Sequence, residues 1–133
     1  MTYLSLAKVD WIKAATVIGG ISDISLQEQS RPEMKDFYRI LIGESKEARE
    51  KRSAVYWPEK FCKTSPVLLL HGANDTRVPP ESSVALAEKL EACGVPHKHV
   101  VYEGAEHGLV EARGEADAEI RSWFDMYVAH ATS

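Results

Sequence analysis

The stretch Val67-Leu68-Leu69-Leu70 constrains this chain more than any other. Four apolar residues in unbroken succession, introduced by Pro66 and ended by His71-Gly72, offer no polar face to water. So short a run between such punctuation reads as a strand buried on both sides, the kind found in parallel sheets. Ala14-Ala15-Thr16-Val17-Ile18, stopped by Gly19-Gly20, is a second such run, and residues 98–103, centred on Val100-Val101-Tyr102, are a third.

Around these runs the apolar spacing turns helical. Residues 2–9 form a short helix with Tyr3, Leu4 and Ala7 on one side, too short to stand alone. Ser30 and Glu33 have the spacing of a capping box. The helix it would open places Met34, Phe37, Tyr38 and Leu41 at i, i+3, i+4 and i+7, and Gly43 closes it. Residues 44–54 are rich in charge, with Glu47 and Lys51 spaced i,i+4, and predict a solvated helix. Pro79-Pro80 opens a helix bearing Leu86, Ala87, Leu90 and Cys93 on one face, ended by Gly94 and Pro96. A last helix from about 115 to 130 aligns Ala116, Ile120, Trp123, Phe124, Tyr127 and Val128. Strands alternating with helices imply right-handed crossovers and a parallel sheet covered on both faces. The expectation is one α/β domain over residues 1–133, about three parallel strands in a three-layer α/β/α arrangement.

A net charge of −4 lacks the basic surface a nucleic-acid partner requires. The opening residues carry Lys8 and Asp10 and do not read as a signal peptide. The longest uncharged apolar stretch, residues 14–21, falls far short of the ~20 residues that span a bilayer, so no membrane partner is expected. Cys62 and Cys93 have no metal spacing and read as buried thiols of a cytoplasmic protein. No cofactor is implied.

In open parallel sheets, chemistry gathers in the loops that follow the strands. Two such loops are loaded here: His71-Gly72-Ala73-Asn74-Asp75-Thr76-Arg77-Val78-Pro79 and Glu103-Gly104-Ala105-Glu106-His107-Gly108-Leu109. Neighbouring parallel strands would carry Asp75 and His107 to the same sheet edge. There a carboxylate can fix an imidazole tautomer while the other ring nitrogen takes a proton from a hydroxyl. Simpler roles compete: Asp75 as a cap for the turn before Pro79-Pro80, His107 as a surface histidine. His71 is expected to anchor its loop by hydrogen bonding. His97 and His99 alternate on one strand face but have no third ligand for a metal. Ser5 and Ser22 are the serines near this edge, and neither lies on a strained turn. Arg77 reads as solvated or salt-bridged rather than as a substrate clamp, and Tyr56 and Trp57 as core.

H-G-x-x-D-x-x-V-P at residues 71–79, an apolar helix, a strand and then G-x-x-H-G at residues 104–108 resemble the acid and histidine loops of prolyl oligopeptidase-type α/β-hydrolases. Upstream, residues 11–23 are similar to the strand after the nucleophile helix, and Ser53-Ala54-Val55-Tyr56-Trp57 to the segment before the acid-bearing strand. The resemblance covers essentially the whole chain. It implies a partial α/β-hydrolase fold with Asp75 and His107 at the acid and base positions of a serine triad. Family members carry the nucleophile in G-x-S-x-G, and this sequence contains no such motif. The expectation is therefore a truncated or remnant serine hydrolase, inactive alone. Two alternatives stand beside it. One is an active peptidase or esterase completed by a nucleophile from another chain or an unusual serine, acting on a small ester or peptide. The other is an assembly module, a homo-oligomer joined through the edge of strand 14–18, where the family's nucleophile strand would pair.

Overall fold

The computed structural model describes residues 1–128. Along the chain come α1 (Thr2–Lys8), β1 (Ala15–Ile18), α2 (Ile24–Ser30), α3 (Lys35–Ile42), α4 (Lys46–Lys51), β2 (Val67–Gly72), α5 (Glu81–Cys93), β3 (His97–Tyr102) and α6 (Arg113–Tyr127). The strands form one parallel sheet in the order β1-β2-β3, so β2 is central, and every one of its residues is buried. That position explains its unbroken apolar run.

Side chains alternate across a strand, and β2 distributes them between two cores. Val67 and Leu69 pack with Leu86 and Leu90 of α5, Tyr3 and Leu6 of α1, and Trp57 and Phe61. Leu68 and Leu70 face the opposite side, against Ala105, Leu109 and the α6 residues Ala116 and Trp123. The result is the expected three-layer α/β/α arrangement. Leu68, Leu69, Leu86 and Leu90 are fully buried, each worth roughly 1.5–3 kcal/mol relative to exposure. Gly94, in the left-handed conformation at φ 70°, ends α5, as its sequence position predicts.

Between β1 and β2 the expectation needs correcting. Ser30 does not cap a helix: it is the last residue of α2, a helix not among those expected from the sequence. Asp23 caps α2 instead, its Oδ1 accepting from the amides of Ser25 and Leu26. Once Ser30 is already helical its side chain cannot take the extended capping conformation, and Glu33 pairs with Arg31. Of the stripe expected on α3, Tyr38 is buried, while Phe37 and Leu41 are exposed. The solvated helix is present as α4, capped by Ser45, with Lys51 and Glu47 paired at 3.3 Å. Tyr56 is half-exposed rather than core, whereas Trp57 is buried and donates through Nε1 to the Glu50 carbonyl. Cys62 and Cys93 are free and only partly buried. Val128 lies past the end of α6 and is exposed. Residues 129 and 130, part of the expected last helix, fall outside the described residues. Among the described residues no helix is long and apolar enough to cross a membrane.

Candidate active site

The loops after β2 and β3 are laced together by their backbones. The Ala73 amide donates to the Tyr102 carbonyl and the Asn74 amide to that of Ala105, both at 2.9 Å. Gly72 makes this approach possible: a Cβ there would stand 2.4 Å from the carbonyl oxygens of both Ala105 and Glu106. The chain then closes a tight turn, the Asp75 amide reaching back to the Gly72 carbonyl. Asp75 and His107 thereby meet, with His107 Nδ1 2.8 Å from Asp75 Oδ2.

Asp75 makes contacts of two kinds, one with each carboxylate oxygen. Its Oδ1 accepts from the amides of Arg77 and Val78, each at 2.9 Å, an Asx-type turn that leads the chain into α5. Its Oδ2 faces His107 and, at 3.2 Å, the Nε2 of His71. Burial works against the charge, yet the Val78 amide, the His107 ring and the Arg77 amide outweigh it and hold the carboxyl below its usual range. An ionised Asp75 fixes the hydrogen of His107 on Nδ1. Nε2, on the far side of a partly exposed ring, is left as the nitrogen able to accept a proton.

The other candidates settle into distinct places. His71 is fully buried, its Nε2 2.8 Å from the Val78 carbonyl oxygen, and so it anchors the Asp75 loop. His97 and His99 do not act as a pair: His97 Nδ1 meets the Val95 carbonyl, and His99 Nε2 meets Ser83 Oγ. Among the described residues no group of three His, Cys, Asp or Glu side chains could hold a metal ion. Arg77 is exposed, and the Gln27 side chain donates to its carbonyl, tying α2 to the Asp75 loop. Ser22 is wholly buried, and its hydroxyl donates to the Ser82 carbonyl. Ser5 is exposed on α1, with its hydroxyl turned to the Met1 carbonyl. Neither serine has the geometry of an activated nucleophile. An open groove of about 810 Å³ bordered by Leu4, Lys51, Tyr56 and Trp57 contains neither Asp75 nor His107, so the pair is a candidate by its chemistry and not by concavity.

Three contributors escaped the sequence reading. Gly19, at φ 57°, presses its backbone against the pair, where a Cβ would stand 2.9 Å from His107 Nδ1 and 3.1 Å from Asp75 Oδ2. Ser82 and Ser83, both buried in the first turn of α5, tie that turn to the β1 loop and to His71 respectively. A buried Ser-Ser at a helix start has the composition of any exposed first turn, which explains the omission. Gly19 did have a local signal, the Gly-Gly pair ending a strand, but nothing local said what it touches.

A model of the prolyl oligopeptidase family matches residues 1–131. No curated protein sequence matches the chain. Among solved structures, the chain is similar to a puromycin-hydrolysing peptidase of Mycobacterium tuberculosis, with 34% identity and a TM-score of 0.73 over 81% of this chain and 17% of that one. An acylaminoacyl peptidase in complex with Z-Gly-Gly-Phe-chloromethyl ketone shares the fold at 21% identity and a TM-score of 0.86, over 96% of this chain and 22% of that one. The acylaminoacyl peptidase of Pyrococcus horikoshii does so at 22% identity and a TM-score of 0.84, over 94% and 22%. The chain thus spans about a fifth of the length of each.

Proposed function

The chain belongs to the prolyl oligopeptidase family, and on that premise we propose that it carries the acid and base of a serine hydrolase centre, with Asp75 as acid and His107 as base. The observation behind this reading is the 2.8 Å contact between His107 Nδ1 and an Asp75 carboxylate already saturated on its other oxygen. In the proposed chemistry His107 Nε2 takes the proton from a serine hydroxyl as it attacks an ester or peptide carbonyl, and returns it to the leaving group. Asp75 stabilises the imidazolium formed in between.

Within these 133 residues there is no G-x-S-x-G, and Ser22 and Ser5 are engaged elsewhere. The proposal is accordingly that this chain by itself does not form an acyl-enzyme. Hydrolysis of an activated ester by the chain and by His107→Ala tests it, with both expected at the buffer background. Turnover by the parent chain that the variant loses would mean that a nucleophile lies within the sequence. A cytoplasmic setting belongs to the same reading and is supported by the free state of Cys62 and Cys93.

A second reading has its own support. β1 is an outermost strand, bonded to β2 alone among the described strands, and Ile18 at its end is 44% exposed. An open parallel edge with apolar surface is a pairing site, and the proposed occupant is the same edge of a second copy. Light scattering should then report a dimer or larger assembly; a mass equal to the monomer at every concentration would exclude it.

A further inference from the structure

On the α5 side of the sheet three polar side chains are buried or half-buried in a row: His71 of β2, Ser83 of α5 and His99 of β3. Their meeting follows from register. His71 alternates with Val67 and Leu69 toward α5, and His99 is paired with Leu69, so both rings reach the first turn of that helix. Ser83 Oγ lies 2.8 Å from His71 Nδ1 and 3.0 Å from His99 Nε2. The chain of contacts continues through His71 Nε2 to Asp75 Oδ2 and from there to His107.

Counting hydrogens gives this row a direction. His71 Nε2 faces two oxygens that can only accept, the Val78 carbonyl at 2.8 Å and the Asp75 carboxylate at 3.2 Å, so the ring hydrogen is on Nε2. In the neutral ring Nδ1 is then an acceptor, and among the described residues the Ser83 hydroxyl is its hydrogen-bond partner. Ser83 has a single hydrogen. Once that is given to His71, the contact with His99 is satisfied only if His99 Nε2 donates. Burial pushes the His99 imidazole below its usual range, so near pH 7 the ring is neutral and its one hydrogen is the one on Nε2. The same serine also lies 3.2 Å from the Pro80 carbonyl, a weaker claim on its one hydrogen.

Resting on the reading of Asp75 and His107 as acid and base, we propose that His71 is a positioning residue for the acid. Its Nε2–H, oriented by Ser83 and His99, shares Oδ2 with His107 and so sets both the aim of the carboxylate and how strongly it draws on the His107 hydrogen. A purely structural histidine would secure the loop through Val78 and leave the bond from His107 to Asp75 unaffected.

Histidine-labelled ¹⁵N NMR of the full chain, with ¹H detection of His107 Nδ1–H, separates the two. The expected spectrum shows His71 neutral with its hydrogen on Nε2 and Nδ1 hydrogen-bonded, and His99 also protonated on Nε2. His71→Phe removes the competing donor from Oδ2, so the His107 Nδ1–H resonance should move downfield. His71→Gln, whose amide nitrogen can occupy the place of Nε2, should return it toward the parent position. A His71 hydrogen on Nδ1, or an unmoved His107 resonance in a folded His71→Phe chain, would overturn the proposal. Should His71→Phe not fold, Ser83→Ala provides the check: the His71 Nδ1 signal must shift to that of an unbonded acceptor, and no change refutes the proposed row. None of these readouts needs turnover, so their failure is distinguishable from failure of the acid–base reading, which the ester assay tests.

Discussion

Replacing Gly72 with alanine should pull the Asp75 and His107 loops apart while leaving the sheet in place. The added Cβ would stand 2.4 Å from two backbone carbonyl oxygens, those of Ala105 and Glu106, where real Cβ contacts essentially never fall below 3.0 Å. Neither oxygen belongs to a side chain that can rotate away, so the loop itself must retreat by at least about 0.6 Å to reach even the shortest contact a real Cβ makes. If that displacement is passed to the adjacent His107, its 2.8 Å bond to Asp75 lengthens to about 3.4 Å, beyond the normal hydrogen-bond range. Overpacking of this kind costs about 1–3 kcal/mol. The weakened bond from a partly exposed histidine adds about 1 kcal/mol, at the low end for a charged acceptor because solvent screens it. A total near 3 kcal/mol, at a urea slope of about 1.5 kcal/mol/M, lowers the unfolding midpoint by about 2 M. Gly114 is the control, since nothing lies within 4 Å of its would-be Cβ and it sits in α6. Gly114→Ala should stabilise by about 0.5 kcal/mol through lost freedom in the unfolded chain. Urea melts followed by circular dichroism, with the His107 Nδ1–H signal recorded on the same samples, give the answer. A Gly72→Ala chain that melts within about 0.5 kcal/mol of the parent and retains that signal would refute the argument from close approach.

Acid should protonate Asp75 late. Its folded pKa lies below the unfolded value of about 3.9, so its stabilisation is complete above that value and is lost as pH falls through the folded one. Urea midpoints measured from pH 6 to pH 2 should drop less steeply for Asp75→Asn than for the parent below about pH 4; parallel curves would deny the carboxylate its role. His99 is a base with a lowered pKa, so its contribution is present above about pH 6.5 and declines as pH falls through its folded value. His99→Gln should flatten the stability profile over that more neutral window. Leu69, fully buried at the centre of β2, should cost about 2–5 kcal/mol on truncation to alanine, read as a fall in thermal midpoint.

The architecture was legible because its signals are local. An apolar run such as Val67–Leu70 has few places to go other than a doubly covered strand, and Pro80 and Gly94 mark the limits of α5 by backbone restrictions that any fold must respect. The placement of Asp75 and His107 on neighbouring loops followed from that order, because parallel strands deliver their C-terminal ends to one edge. Only the tertiary structure could decide what depends on register and on partners distant in sequence. Ser30 has the local signature of a cap, and nothing in its own tetrapeptide reports that Asp23 has already started a helix. The apolar stripe of α3 buries Tyr38 but leaves Phe37 and Leu41 in the open, since periodicity records that a helix has a face and not what covers it. The same limit hid Gly19 against the Asp75–His107 pair, and it hid Ser83 between two histidines that only strand pairing brings together. Sequence determines where a side chain points along its own element; which atoms it meets there is set by the packing of all the others.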